Sequence, residues 1–406
     1  MTLRQDATQI TSGADTLYRQ RVESYPGASV VVDASGRTRV SQLTTLFDGK
    51  TLGAENAMLW DTKGTGTAAF LEAANTLSVT AGQYIVRQSR QILPYFSGKS
   101  QAAEITFDGF ANEAGVVKRF GYFSSSAVAP YTANLDGWYV EADGSTYRLV
   151  VSRNGVKVLD LPWTQWDAYA QISTYDWDNF TVTYTDFLWL GGAVLRLFLK
   201  NPAGGFTLAH TFDYAGSAPG TFMLSPNQPV RYEIRSTSGA GSFRAICSQV
   251  ATEGSISENG ESLGLYNGAL ITANTVGTTY ALLGVKKQTA YRDTPVRIDT
   301  VGAGISTTDA GVLLLLRNPT LSAPLTYSNN GRIQEGQANA GQTVTAVGRV
   351  VHSVPVVASG VSNPLANNSL SWLSSGIAND LDEWVLAYRV LTTKQSLVGT
   401  MNVVEY

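Results

Sequence analysis

The chain has 406 residues, 44% of them hydrophobic and only 15% charged, with a net charge of −3 and a single cysteine, Cys247. That length leaves room for two domains with sizeable cores. The balance excludes an internal disulfide framework, and without a Lys/Arg run there is no electrostatic footprint for nucleic acid.

A charged fraction well below the usual level of about 25% points to surface that is buried or paired, as inside an assembly. Gly, Thr, Tyr, Val and Leu are plentiful, which suits strands joined by tight turns. Long runs of Ala, Glu, Lys and Leu at helical spacing are missing, so the chain reads as mostly β.

Residues 1–40 form a polar arm with scattered apolar positions: Leu3, Ile10, Leu17, Tyr18 and Val22. The pattern predicts one short helix around Ala14–Tyr25, too short to hold itself in water. Such an arm is either floppy or ordered by a neighbouring subunit. Its opening residues lack the apolar core, about 7–15 residues long, of a secretory signal; the single cysteine fits synthesis inside a cell.

Strand signals begin near Ser41. "TLSVTAGQYIVRQSRQILPY" is β-prone, broken at Ala81-Gly82 and ended by Pro94, and "TFDGFANEAGVVKRFGYF" gives two strands around a turn. In "DGWYVEADGSTYRLVVSRNGVKVLDLPW" the pairs Asp136-Gly137, Asp143-Gly144 and Asn154-Gly155 each read as a turn supplying positive φ angles. "FTVTYTD" and "PVRYEIRS" alternate at period two, the latter with Val230, Tyr232 and Ile234 on one face and Arg231, Glu233 and Arg235 on the other. That charged face is either a solvated strand face or a contact surface.

The most apolar window, "FLWLGGAVLRLFL" (Phe187–Leu199), is interrupted by Arg196 and falls short of the roughly 20 residues of a membrane span. Its Gly191-Gly192 reads as a turn between two buried strands. "EGSISENGESLG" (Glu253–Gly264) marks a domain boundary, beyond which strand patterns resume through to the closing "GTMNVVEY". The expected fold is therefore mainly β: two antiparallel β-sandwich or jelly-roll-like domains, 41–255 and 256–406, behind the polar N-terminal arm, 1–40.

Motifs that carry chemistry fail one by one. Gly98-Lys99-Ser100 ends like a phosphate loop, but Leu93 stands where the first glycine belongs and Pro94 follows it. Gly98 instead makes a turn with Lys99 and Ser100 at its exit. One Cys and two His, His210 and His352, cannot build a zinc site of soft ligands. Asp176 and Asp178 in "YDWDNF" lack the glycine and distant glutamate of a calcium loop, and read as Asx turns. Both histidines lie in strand-like apolar stretches, and no G-x-S-x-G elbow occurs. The sequence names no catalytic, cofactor-binding or metal-binding residue and implies no cofactor.

The richest local signal is aromatic: Trp163, Trp166, Tyr169, Tyr175, Trp177, Phe180, Tyr184, Phe187 and Trp189 crowd one short segment. Core or subunit interface is the favoured role. A platform stacking on sugar rings is the alternative, and needs only two or three exposed rings.

Several strings follow one another in a fixed order: "RVSQLTTLFDGK" (39–50), "VRQSRQILPYFSGKSQ" (86–101), "AGVVKRFGYF" (114–123), "FLWLGG" (187–192), "SPNQPVRYEI" (225–234) and "ICSQVATEGS" (246–255). With "GTTYALLGVKKQTAYRDTPVRI" (277–298), "LLLLRNPTL" (313–321) and "GTMNVVEY" (399–406), the series resembles a family of virion structural proteins of tailed bacteriophages over residues 25–406. Two departures stand out. Leu188 occupies a position where relatives tend to carry glutamate, and the loop 124–135, "SSSAVAPYTANL", replaces a more acidic stretch.

The resemblance implies a non-enzymatic particle component located in the virion after synthesis in the host bacterial cytoplasm. It would serve as a head fibre or decoration, or as a tail appendage. Expected partners are capsid or tail proteins and further copies of the chain in a homo-oligomer. The rival reading is a fibre that binds a host-surface glycan through segment 160–190. A depolymerase is a third, disfavoured because the evenly repeated short strands of a β-helix are missing.

Overall fold

A computed structural model describes residues 6–12, 15–21, 33–34, 42–50, 52–202, 204–256, 260–305, 310–356, 361–364, 372–392 and 395–406. Strands dominate throughout, and they assemble into two stacked-sheet units.

The first unit pairs a seven-stranded with an eight-stranded antiparallel sheet. The seven strands run, in spatial order, Val156–Pro162, Tyr147–Arg153, Asp136–Ala142, Val116–Ser124, Val230–Ser236, Tyr84–Ser89 and Trp60–Gly64. In the second sheet the order is Phe206–Asp213, Val194–Lys200, Thr181–Leu188, Gln101–Asp108, Gly241–Glu253, Ala74–Val79 and Thr67–Leu71, and Leu43–Asp48 also pairs with Gly241–Glu253. Alternate residues of both sheets meet in one core: Phe120, Tyr122, Trp138, Val140, Leu149 and Tyr232 from one side, Ile105, Phe107, Phe187, Leu195 and Leu197 from the other. This is the inward face that the period-two pattern demands.

In the second unit, Glu261–Tyr266, Gln395–Glu405, Val296–Ile305 and Val361–Pro364 make one sheet, with Ile271–Ala273 also on Gln395–Glu405. The other sheet runs Thr326–Asn330, Ile333–Gln337, Thr279–Lys287, Trp384–Val390, Gly311–Arg317 and Arg349–Val356. Leu282, Val285, Ile298, Leu313, Trp384 and Met401 fill the space between them. The mainly β, sandwich-like architecture expected from alternation is what the chain adopts.

Two expectations need correction. The helix proposed around Ala14–Tyr25 is, in its described part, a strand: Asp15–Arg21 pairs antiparallel with Asp6–Ser12, Ser12 opposite Asp15. A hairpin satisfies the backbone of both segments at once, whereas a lone helix of this length is unstable. The remainder of the 1–40 arm, apart from residues 33 and 34, lies outside the described residues. Asp136-Gly137 is not a turn but the first two residues of a strand. A Cβ at Gly137 (φ +123°) would lie 2.3 Å from the Tyr122 carbonyl oxygen, so glycine serves close strand approach there. The other two pairs do turn the chain, with Gly144 and Gly155 both at positive φ.

The charged face of Val230–Ser236 is neither solvated nor free. Glu141, Arg119 and Glu233 stand directly opposite one another on three neighbouring strands. Arg119 Nε donates to Glu141 at 2.5 Å, and its Nη1 donates to Glu233. Arg231 grips Glu233 through Nε (2.9 Å) and Nη2 (2.7 Å), and also donates to Gln88, Ser125 and the Tyr131 carbonyl. All four charged side chains are buried. Arg235, next along the strand, is half-buried.

A second charged cluster joins the two units. Asp61 accepts the Ile377 amide at 2.8 Å, and Arg90 reaches Asp61 at 3.6 Å and Asp382 at 3.5 Å. Asp382 also takes Arg317 at 2.5 Å, while Arg317 donates to the Met58 carbonyl at 3.0 Å. Ile377 packs on Val86 and Tyr131 of the first unit.

Burial alone would raise the Glu233 carboxyl, but Arg231 and Arg119 outweigh it and hold the pKa down at about 2. A depressed folded-state value contributes stability above the unfolded-state pKa of about 4.5, and this drains away as the pH falls towards 2. Glu233→Gln is expected to cost about 3 kcal/mol at pH 7, by leaving two buried guanidiniums short of a partner. It should also flatten stability against pH between about 4.5 and 2. Urea unfolding of both forms across that range checks this, and parallel pH profiles would refute it.

Candidate functional site

The strand connections of the first unit gather at two poles. At one pole lie the connections 109–115, 143–146, 163–180, 201–202 and 204–205; at the other lie 90–100, 124–135, 154–155, 189–193 and 214–229. The aromatic segment belongs to the first pole, where it forms one wall of a cleft.

Trp177 sets the position of that wall. Its buried indole touches Phe107, Phe110, Tyr147, Trp163, Trp166 and Tyr175, with ring centroids 4.7–6.4 Å away. Backbone bonds fix it further: Phe110 N–H donates to the Trp177 carbonyl, and Gly109 N–H to that of Asp178, both at 2.9 Å. Just before it, the one-turn helix Tyr169–Ile172 buries Ile172.

The chain then has to leave the core to reach Thr181–Leu188. Asp176 makes the exit as an Asx turn, its Oδ1 accepting the Asp178 amide at 3.0 Å and its Oδ2 the Asn179 side-chain amide at 2.6 Å. Phe180 emerges from this turn 61% exposed. Burial raises the Tyr175 phenol pKa, so the hydroxyl stays neutral and able to donate.

The facing wall comes from Leu199–Pro202 and Thr207. Asn201 shapes it, its Oδ1 accepting the Gly205 amide at 3.1 Å and its Nδ2 donating to Thr207 at 3.3 Å. Lys200 lies 5.1 Å over the Phe206 ring and bonds the Gly204 carbonyl. Between the walls is a cleft of about 350 Å³, with Tyr175 and Phe180 supplying rings and Gln171, Asp176, Asn179, Lys200 and Asn201 supplying polar groups. Flat rings beside donors and acceptors of both charge signs are what a polyhydroxylated ligand requires.

Most other members of the aromatic set are structural. Trp166, Trp177, Tyr184 and Phe187 are buried, and Trp163, Tyr175 and Trp189 pack against the core. The remaining candidates also take structural places. Gly98 has φ +80°, Lys99 N–H closes the turn onto the Phe96 carbonyl, and Ser100 is buried. His210 sits on Phe206–Asp213 with Nδ1 3.0 Å from Asp167 Oδ2; burial, opposed by Asp167, lowers its pKa and leaves the imidazole neutral. His352 lies on Arg349–Val356. Cys247 contributes its carbonyl, which accepts from Thr106 and Tyr232 at 3.0 Å. Among the described residues, no three His, Cys, Asp or Glu converge as metal ligands, and no helix is long and apolar enough to cross a membrane.

Sequence reasoning missed Lys200, Asn201 and Thr207. Nothing local marks them, because they reach the aromatic wall only through the pairing of Thr183 with Leu199.

Removing the buried Trp177 indole should cost about 3–5 kcal/mol, as large aromatic deletions in cores do. Phe180→Ala should stay within about 0.5 kcal/mol of the parent, since its ring packs on little. Urea midpoints measure both; equal losses would mean that Phe180 belongs to the core.

No protein-family model matches the chain, and no curated protein matches it. Among solved structures, it is similar to the exoplasmic/lumenal domain of VIP36 in its Ca²⁺/Man3GlcNAc-bound form, at 12% identity and TM-score 0.38, over 53% of this chain and 92% of that one. Bacillus licheniformis β-glucanase aligns at 13% identity and TM-score 0.36, over 53% and 100%. A lectin from Bauhinia forficata in complex with GalNAc aligns at 10% identity and TM-score 0.34, over 52% and 99%.

Proposed function

We propose that this chain is a non-enzymatic structural component of a tailed-bacteriophage particle. One observation carries the reading: the residues of the resembling motifs are spent on internal architecture. Arg87 donates to Glu55, Gln101 to Tyr122, and Tyr122 to the Leu93 carbonyl. Asn227 accepts the Tyr95 amide, and Arg231 and Glu233 close the buried ion network. A signature written in buried, mutually paired side chains preserves a shape, whereas an enzyme family's signature converges on an open site. The hairpin Asp6–Ser12/Asp15–Arg21 supports an anchoring arm, since among the described residues its two strands pair only with each other. An isolated two-stranded hairpin is marginal in water and gains stability by adding to a partner. Immunogold electron microscopy of purified virions should label one fixed position; unlabelled particles from a productive infection would overturn the assignment.

The cleft favours a second role in the same protein, binding of a host-surface glycan at the pole that carries Tyr175 and Phe180. A screen of host-surface oligosaccharides should find ligands that quench tryptophan fluorescence. Phe180→Ala should weaken them about 2- to 12-fold, the stacking worth of one ring. Silence across the screen would remove the glycan role and leave the structural one standing, whereas release of shortened oligosaccharides would contradict the non-enzymatic reading.

A further inference from the structure

Asn-Gly is a dipeptide that can rewrite itself: glycine, lacking a Cβ, leaves its amide nitrogen unhindered for attack on the preceding asparagine side chain. The chain holds four such pairs, and three lie wholly among the described residues: Asn154-Gly155, Asn267-Gly268 and Asn330-Gly331. Two of these are held shut. Gly155 N–H donates to the Leu135 carbonyl at 2.7 Å, and Asn154 N–H to Asp136 at 3.1 Å. Asn267 is buried, its Nδ2 donating to the Ala269 carbonyl at 2.6 Å and its Oδ1 accepting the Gly399 amide, while Gly268 N–H donates to Gln337 Oε1 at 3.0 Å. In both pairs the attacking nitrogen would first have to give up a hydrogen bond.

Asn330-Gly331 is open. Thr326–Asn330 and Ile333–Gln337 form a hairpin with Asn330 opposite Ile333, so Gly331 and Arg332 are the whole turn. Gly331 has φ +60° and Arg332 does not share the positive sign, which is the pattern of a type II′ turn. The first central N–H of such a turn takes no part in closing it. Arg332 N–H goes to Glu405 Oε1 at 2.8 Å, whereas Gly331 N–H donates to no group among the described residues. The Asn330 side chain is half-buried and held by one long bond, Nδ2 to Glu335 Oε2 at 3.2 Å.

We propose that Asn330 is a site of spontaneous modification, converting to aspartate and isoaspartate through a cyclic imide with Gly331. Hydroxide removes the Gly331 N–H proton, and the nitrogen attacks Asn330 Cγ. The N–Cγ bond forms as the Cγ–Nδ2 bond breaks, and Nδ2 takes up a proton and leaves as ammonia. Water then opens the ring: cleavage of N–Cγ gives aspartate, and cleavage of the original peptide bond gives isoaspartate, with the main chain now running through Cγ. Nothing is oxidised or reduced, and water is the co-reactant.

The product changes this corner of the second unit. An amide donating to Glu335 becomes a carboxylate facing it, and Glu405 stands beside the same turn, since a Cβ built on Gly331 would lie 3.1 Å from its Oε1. Three carboxylates then crowd one turn and repel one another. Isoaspartate also adds a methylene to the main chain, which disturbs the pairing of Asn330 with Ile333. The edge strand so loosened carries Tyr327, whose ring lies against Gly336 and whose hydroxyl donates to Glu383 at 2.5 Å. An ageing chain therefore loses order at one edge of its second unit, away from the cleft.

Peptide mapping by mass spectrometry, on the full chain held in warm, mildly alkaline buffer, tests this, with an isoaspartyl methyltransferase as the reagent for isoaspartate. Position 330 should convert at close to the rate it shows in the urea-unfolded chain, and faster as the pH is raised. Positions 154 and 267 should convert at least about tenfold more slowly in the folded chain than in the unfolded one. Asn330→Asp should speed hydrogen exchange across Thr326–Gln337, and Asn330→Gln, which keeps an amide, should leave it unchanged. An Asn330 that stays intact in the folded chain while the unfolded chain converts would overturn the proposal, as would three sites that convert alike when folded. Exchange no faster in Asn330→Asp than in the parent would overturn the loss of order at the edge.

Discussion

The relative placement of everything described here depends on one buried chain of charges, Asp61–Arg90–Asp382–Arg317. It runs from the edge strand of the first unit to a central region of the second, and its members are at most partly open to water. Two stacked-sheet units joined by a linker alone would swing freely. Here each carboxylate satisfies groups from both sides: Asp61 takes the Ile377 amide, and Arg317 spans Asp382 and the Met58 carbonyl. Gly376 belongs to the same constraint, because a Cβ there would come within 2.6 Å of Asp61 Oδ2. Such clusters contribute little net stability against an apolar replacement, but they tolerate few alternative geometries. Orientation, more than stability, is what this one supplies.

Within the first unit the same economy appears twice more. The Arg119–Glu233–Arg231 network lies on the sheet face away from the core and converts it into a second interior, closed in part by the Tyr131 loop. Asp136 does the corresponding work at the pole opposite the cleft, where one carboxylate holds two connections in place with four hydrogen bonds.

How far the sequence could be read follows from how local each signal is. Alternation and the turns at Asp143-Gly144, Asn154-Gly155 and Gly191-Gly192 are written in consecutive residues, and the strands stand where those residues put them. Asp136-Gly137 misled because a turn-forming pair and a strand start with a crowded neighbour use the same two residues; only the position of Tyr122 decides between them. The face carrying Arg231 and Glu233 misled differently: polar alternation marks a side of a strand, and what covers that side comes from residues about 100 positions away. For the cleft, the aromatic wall was legible and the Lys200–Thr207 wall was not, since it arrives through sheet pairing.

The cleft stands at one end of the first unit and offers a single well-exposed ring, Phe180. Were it to take a sugar as proposed, one such contact would be weak and short-lived. Several copies held on one particle would change that: once a first cleft is engaged, its siblings would meet neighbouring sugars at an effective concentration in the millimolar range, and the combined grip could exceed a single contact by about 10²–10⁴. Attachment of that kind would be reversible step by step yet lasting as a whole.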